Sequence, residues 1–319
     1  MQKEKYLITG IGGFVARHVL RFLDTPDNET VEIIGIDRGI GGGTFEMQHC
    51  VCRPISADLR DVAVLESVIS QFQPQRLIHL AASSSVGQSW HEPAKCLCGN
   101  LTILLNLLQS VKAAMTANPS YRCRGLIVGS SEIYDNAGET ALTETAPLKP
   151  QNPYAVGRMA QEELVRLYTE HFGLDIVSTR SFLHIGSGQH ERFAVASFIR
   201  QLLDARRSGK KETVLNTGNV DLLRDIADVR DVVRAYFLLF DKGQSGEIYN
   251  VCTGKTTRLR DIIAKAADIL GIETKIEIVP ELLRPNDVPV ILGSCEKLKE
   301  RTGWQPQFSL EDTLRSMIG

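Results

Sequence analysis

The sequence predicts an α/β protein: a doubly wound parallel sheet followed by a smaller C-terminal α/β lobe. Three observations carry this. Short β-branched runs alternate with amphipathic stretches as far as about residue 180, a glycine-rich turn joins the first run to the first amphipathic stretch, and the alternation loosens afterwards. Repeated strand–helix alternation lays strands parallel and covers both faces with helices.

The elements follow in order. "KYLIT" and "VEIIGID" read as strands, with the amphipathic "FVARHVLRFLD" as the helix between them. "CVCRPIS", a helical "VAVLESVISQFQ" and the strand "RLIHLAA" continue the pattern, followed by a long helix through "AKCLCGNLTILLNLLQSVKAAM". "RGLIVGSS", a helix through "NPYAVGRMAQEELVRLYTEHFG" and the strand "DIVSTRS" complete the sheet. Beyond it come Gly-, His- and Gln-rich loops, an amphipathic helix near 192–208 and shorter elements with charged turns. At 319 residues the chain exceeds the roughly 250 to 300 residues that one core usually serves. Residues 1–180 form the first domain, with 225–252 returning to it, and 181–224 with 253–319 form the second.

Lys and Arg number 36 against 38 Asp and Glu, a net charge of -2, which offers no broad attraction to nucleic acid or an anionic membrane. No secretory or transit pattern opens the sequence, and no uninterrupted apolar stretch reaches transmembrane length. A soluble cytoplasmic enzyme is the expectation. Seven cysteines is an odd count, and Cys50/Cys52 and Cys96/Cys98 are spaced too closely for a usual disulfide or a four-cysteine zinc site. Reduced, mostly buried thiols and no metal are expected.

"TGIGGFVA" brings Gly10, Gly13 and Ala16 to the turn between the first strand and the first helix. Small residues there let the backbone approach a pyrophosphate, and the helix N-terminus offers N–H groups and partial positive charge. A merely tight turn is the bland alternative; the strand-to-helix context favours the dinucleotide, and with it a Rossmann-type sheet. Asp37 ends the second strand, where its carboxylate suits the two adenosine ribose hydroxyls and repels a 2′-phosphate, whereas Arg38 beside it suits that phosphate. NAD(H) or NADP(H) is the expected cofactor, with a lean to NAD(H). Asp58 in "ADLRD" follows the third strand, placed for an adenine amino group, and Ala81 and Ala82 end the fourth, small enough to lie beneath a cofactor. Each taken alone is equally plain packing chemistry.

Ser130 and Glu132 in "VGSSEIYD" end the fifth strand, and Tyr154 and Arg158 lie four apart on the next helix, on one face. With "TGIGGF", "HLAASSSV", "GSSEIY", "PYAVGR", "GNVDLLRDIADVRDVVRAY", "YNVCTG" and "LLRPNDVPVILGS", the chain resembles the nucleotide-sugar branch of the extended short-chain dehydrogenase/reductase family. Within that branch it is most similar to GDP-6-deoxy-D-mannose reductases, then to GDP-mannose 4,6-dehydratases. The resemblance implies that Tyr154 exchanges a proton with a sugar hydroxyl or ketone while nicotinamide exchanges hydride with the same carbon. A nearby cation would bring the phenol down from about 10, and Ser130 would hydrogen-bond the reacting oxygen. Arg158 stands where the family usually has lysine, keeping the charge but with a longer, planar, permanently protonated head. Glu132 occurs in reductase and dehydratase relatives alike. The resemblance also places Phe14 and Leu59 at the cofactor and Ser85 at the substrate.

"RSFLHIGSGQ" is similar to a family substrate segment, with Leu183 replacing its asparagine and Ser187 its proline. Arg224 and Arg284 match positions near the nucleotide diphosphate, with Asp287 on a ribose; planar guanidinium donors suit paired phosphate oxygens. Surface ion pairs are the bland alternative for each arginine. His79 and His184 read as satisfied structural histidines, and Trp90 as a sugar-site or a buried aromatic. The implied function is NAD(P)H-dependent reduction of the 4-keto group of a GDP-4-keto-6-deoxyhexose to a GDP-6-deoxyhexose such as GDP-D-rhamnose. A 4,6-dehydratase or 4-epimerase is one alternative, and a non-catalytic dinucleotide-binding protein another. The family pairs subunits through two long helices, here about 93–116 and 152–171, so a homodimer is expected; Leu101, Leu105 and Leu108 suit either that face or the sheet.

Overall fold

The computed structural model describes residues 4–28, 31–40, 45, 47–135, 140–283 and 287–319. In chain order the first elements are β1 (Glu4–Thr9), α1 (Phe14–Leu23), β2 (Val31–Asp37), β3 (Val51–Ser56), α2 (Val62–Phe72) and β4 (Arg76–His79). They continue with α3 (Val86–His91), α4 (Pro93–Ala117), β5 (Arg124–Ser130), α5 (Pro153–Phe172) and β6 (Asp175–Ser181). Next come β7 (Leu183–Ile185), α6 (Ala194–Arg207), β8 (Glu212–Thr217), β9 (Leu223–Asp228), α7 (Val229–Lys242) and β10 (Ile248–Val251). The last are β11 (Thr256–Arg258), α8 (Leu259–Leu270), β12 (Glu273–Ile278), β13 (Val290–Ile291), α9 (Glu296–Thr302) and α10 (Leu310–Ile318).

The chain divides into two compact units. The first contains Met1–Ile133, Pro150–Arg180 and Val233–Tyr249 and carries a seven-stranded sheet in the order β10-β6-β5-β4-β1-β2-β3. The pairs β3–β2, β2–β1, β1–β4 and β4–β5 are parallel, so the predicted doubly wound Rossmann-type sheet is present. Strand order reverses between β1 and β4, and the crevice at the carboxyl ends of those strands is where such sheets bind ligands. Leu7, Ile36, Leu65, Leu77, Leu104 and Ile127 lie in one buried cluster beneath it. Each such aliphatic side chain contributes about 1.5–3 kcal/mol on leaving water.

α4 is apolar on average without being uninterrupted, since Lys95, Asn100, Asn106, Gln109 and Lys112 lie along it. At 25 residues it is long and apolar enough to cross a membrane by length and composition, yet Leu104, Leu107, Leu108 and Val111 are buried in the first unit's core. Its apolarity serves packing against the sheet, so Leu108 belongs to the core, with Leu105 partly buried against it. Six cysteines are buried as free thiols and Cys98 is exposed.

The second unit contains Tyr134–Lys149, Ser181–Val232 and Asn250–Gly319. β9 is its centre, pairing antiparallel with β11 and parallel with β13 and β7, while β8 and β12 form a separate parallel pair. Val195, Phe198, Leu202, Leu215, Ile262 and Leu314 are among its core. The carboxylate of Asp225 is buried at the end of several loops and accepts from Thr253 N and Oγ1, both at 2.7 Å, Gly254 N at 2.9 Å and Gly293 N at 3.3 Å. The unit boundaries differ from those drawn on the sequence. Tyr134–Lys149 joins the second unit because Leu142 N donates to Leu292 O at 2.8 Å, and Asn250 Nδ2 donates to Leu142 O at 2.8 Å.

Candidate active site

The glycine turn is built so that a side chain cannot enter it. Gly10 has φ +75°, and a Cβ there would stand 2.7 Å from Ala81 N and 2.9 Å from Ala81 Cα. β1 and β4 therefore approach through bare backbone, with Ala81 N also 3.4 Å from Thr9 Oγ1. Gly13 caps α1 with no side-chain hydrogen bond and no acidic residue in the first turn. The leading N–H groups of α1 stay available to an anion, which fits a dinucleotide pyrophosphate. Phe14 opens α1 and packs edge-on against His18, ring centroids 5.3 Å apart.

Asp37 folds back onto this turn. Its Oδ2 accepts from Gly12 N at 3.1 Å and its Oδ1 from Arg38 N at 2.7 Å, fixing a carboxylate beside the glycine loop. Arg38 itself is exposed. Asp58 is engaged by its own neighbour: Arg60 donates from N at 2.9 Å and from Nε at 3.0 Å, and these bonds hold the Asp58 carboxyl down at about 2. Leu59, placed at the cofactor by resemblance, has its side chain buried in the core at 5% exposure, and its carbonyl accepts from Asn106. Ala81 and Ala82 are half-buried after β4.

The residues expected to handle protons lie at or just after the end of β5, Ser130 and Glu132, and in the first turns of α5, Tyr154 and Arg158. Ser130 ends β5, and its Oγ accepts from Glu132 N at 3.3 Å. Glu132 Oε2 accepts from Asn152 Nδ2 at 3.1 Å, while Asn152 Oδ1 caps α5 by accepting from Ala155 N at 2.8 Å. The cap thus ties the start of α5 to the acid. Sequence reasoning passed over Asn152, although Asn before a proline at the first helical position is a start signal.

Tyr154 and Arg158 are both 7% exposed, and the guanidinium carbon lies 5.1 Å from the Tyr154 ring centroid. The two residues do share one face. Arg158 Nη1 donates to Val128 O of β5 at 2.9 Å and to Gln161 Oε1 at 3.0 Å. Gln161 Nε2 in turn donates to Asn100 O on α4 at 2.7 Å, and the Asn100 amide clasps Ser83 N at 2.8 Å and Ser83 O at 3.1 Å. No carboxylate pairs with Arg158 among the described residues; the adjacent Glu162 is taken by Arg180, with Nε to Oε2 at 3.0 Å. His79 is only half satisfied. Its Nδ1 is 2.8 Å from Thr9 Oγ1, but its buried Nε2 has no partner among the described residues, and burial with the charge of Arg158 pushes its pKa down to about 3. It stands as a neutral imidazole.

Ser85 caps α3, its Oγ accepting from Gln88 N at 3.2 Å, so its hydroxyl is partly committed. Trp90 on the same helix is 43% exposed, which removes the buried reading. In the second unit, Leu183 on β7 lies in register with Ile226 of β9 and is half-buried. His184 Nδ1 is 2.9 Å from Phe182 O, a structural bond. Arg224 on β9 donates through Nη1 to Leu223 O at 2.9 Å and Pro289 O at 3.4 Å, and Asp287 is half-buried. Arg284 lies outside the described residues.

Comparisons with known proteins match the chain along nearly its whole length. Residues 7–317 match the family profile described as GDP-mannose 4,6 dehydratase. GDP-6-deoxy-D-mannose reductase of Pseudomonas aeruginosa is 30% identical over 318 residues, covering 99% of this chain and 96% of the relative. Among solved structures, RMD from Pseudomonas aeruginosa complexed with NADPH is similar with a TM-score of 0.83 at 30% identity, covering 99% of this chain and 98% of that one. UDP-glucose 4-epimerase of Thermus thermophilus in complex with NAD is similar with a TM-score of 0.83 at 26% identity, covering 98% and 97%.

Proposed function

We propose a reaction for this chain, which belongs to the GDP-mannose 4,6-dehydratase-like extended short-chain dehydrogenase/reductase family: reduction of the 4-keto group of a GDP-4-keto-6-deoxyhexose, giving a GDP-6-deoxyhexose such as GDP-D-rhamnose. The observation that carries the reading is the Arg158 cation 5.1 Å from the Tyr154 ring centroid, in a chain 30% identical along its length to a GDP-6-deoxy-D-mannose reductase. NAD(P)H, when bound, supplies the hydride for C4. Gly10, Gly13 and the start of α1 receive its pyrophosphate, and Asp37 its adenosine ribose.

Tyr154 delivers the proton to the ketone oxygen as carbon is reduced, and Ser130 donates a hydrogen bond to that oxygen, stabilising the charge that develops there. Arg158 favours the phenolate that remains and is reprotonated from solvent. Asp37, already bonded to Gly12 N, presents carboxylate charge where a 2′-phosphate would sit, which supports NAD(H) as the preferred form. Arg224, Arg284 and Asp287 are the residues assigned to the nucleotide portion, and the protein works in the cytoplasm as a homodimer.

The test is oxidation of NADH and of NADPH by purified protein supplied with GDP-4-keto-6-deoxy-D-mannose, with NMR identification of the product. Substrate-dependent oxidation that disappears in Tyr154→Phe supports the reading; no oxidation with either cofactor by folded protein overturns it. A 4,6-dehydratase or 4-epimerase is the second reading, favoured by the description of the matched family; Glu132, common to reductase and dehydratase relatives, does not separate the two. Cofactor retained through purification, with turnover of a nucleotide sugar and no net oxidation, would select it.

A further inference from the structure

A buried guanidinium normally finds a carboxylate, because unpaired charge is costly away from water. Among the described residues Arg158 finds only neutral acceptors. Its Nη1 is used twice, on the Val128 carbonyl and the Gln161 amide oxygen, and its Nε is enclosed with no partner among the described residues. Nη2 has no partner among the described residues and is not among the enclosed atoms, so it is the edge of the fork left for a ligand oxygen.

Which edge faces the ligand is thus set by what grips Nη1. Val128 O is fixed by the sheet. Gln161 is the adjustable half of the grip, and it is itself immobilised: 2% exposed, three residues along α5 from Arg158, with Nε2 anchored to Asn100 O at 2.7 Å. Because the amide is neutral, it holds the guanidinium without cancelling the charge beside Tyr154. A carboxylate in that place would hold it more strongly and neutralise it.

We propose that Gln161 is a positioning residue that locks Arg158 through Nη1, so that Nη2 and the uncancelled charge face the bound dinucleotide and the reacting oxygen. This rests on the reading of Arg158 as a site residue. It is specific to arginine: a lysine ammonium at 158 has no second edge to orient.

The test is a double-mutant cycle read by fluorescence titration with NADH and NADPH, independent of sugar turnover. Gln161→Met is expected to weaken dinucleotide binding about tenfold in the wild-type background, the loss of one hydrogen bond to a charged group, and by less than about twofold in Arg158→Lys. Equal losses in both backgrounds would mean a merely structural tie to Asn100 and would overturn the proposal. Gln161→Glu keeps an acceptor for Arg158 but drops the donor to Asn100 O. It is expected to bind within about threefold of wild type while lowering kcat; a binding loss as large as that of Gln161→Met overturns the proposal, and it serves where Gln161→Met fails to fold. Wild-type protein that binds neither dinucleotide sinks the functional reading itself, whereas wild-type binding that Gln161→Met leaves unchanged sinks only the role of Gln161.

Discussion

Gly10→Ala tests the nucleotide turn most directly. Two costs are legible. An alanine at φ +75° adopts the left-handed region at about 1–2 kcal/mol. Its Cβ would also stand 2.7 Å from Ala81 N and 2.9 Å from Ala81 Cα, and both are backbone, so no rotamer change relieves the overlap. Separating the ends of β1 and β4 strains the Leu80 N to Thr9 O bond at 3.2 Å, for a further cost of about 1–3 kcal/mol. The expected destabilisation is therefore about 2–5 kcal/mol, read as a lower urea midpoint at unchanged slope. Gly99→Ala supplies the opposite sign. Gly99 lies inside α4 with nothing within 4 Å of a built Cβ, so alanine there should stabilise by about 0.5–1 kcal/mol. Dinucleotide affinity should fall at least about tenfold in Gly10→Ala and stay unchanged in Gly99→Ala. Equal midpoints for the two variants would refute the claim that strand approach at Ala81 demands glycine.

Tyr154→Phe should abolish ketone reduction while leaving dinucleotide affinity within about twofold, since the ring and its contact with Arg158 remain; the two are separated by steady-state rates and titration. His79 gives a pH signature with a definite sign. The folded imidazole stays neutral down to about 3, whereas the unfolded one takes up a proton near 6.5. The unfolded state then binds more protons between those values, so stability is full above the higher value and falls with pH at up to about 1.4 kcal/mol per unit. His79→Asn should flatten the urea midpoint between about pH 7 and 5, above most carboxylate titration; parallel wild-type and variant profiles would contradict it. Asp37→Ser should shift the ratio of kcat/KM values toward NADPH by about tenfold, by removing carboxylate repulsion, and an unchanged ratio would place cofactor choice elsewhere. Asp225→Ala should lower stability by about 3 kcal/mol or more, since it strands four donors from two loops, as chemical unfolding would report.

What was legible in the sequence is what local pattern encodes. The sheet came from β-branched runs such as "VEIIGID", which is β2 residue for residue, and Tyr154 and Arg158 met because helical spacing alone puts positions four apart on one face. What was not legible depends on partners distant in sequence. Leu59 turns into the core because the chain after β3 packs against α4, where Asn106 Nδ2 donates to its carbonyl. Tyr134–Lys149 reads as a loop of the first domain until Leu142 finds Leu292, some 150 residues on. Arg158 shows the limit most sharply: the sequence exposes an unusual arginine, but whether its charge is cancelled depends on acids that have other partners. Glu162 is consumed by Arg180 from β6, and Gln161 answers instead with a neutral oxygen. The same helix face with glutamate at 161 would read almost identically by pattern, yet it would carry a neutralised cation beside Tyr154, and that difference of one amide is the kind of information only the assembled packing supplies.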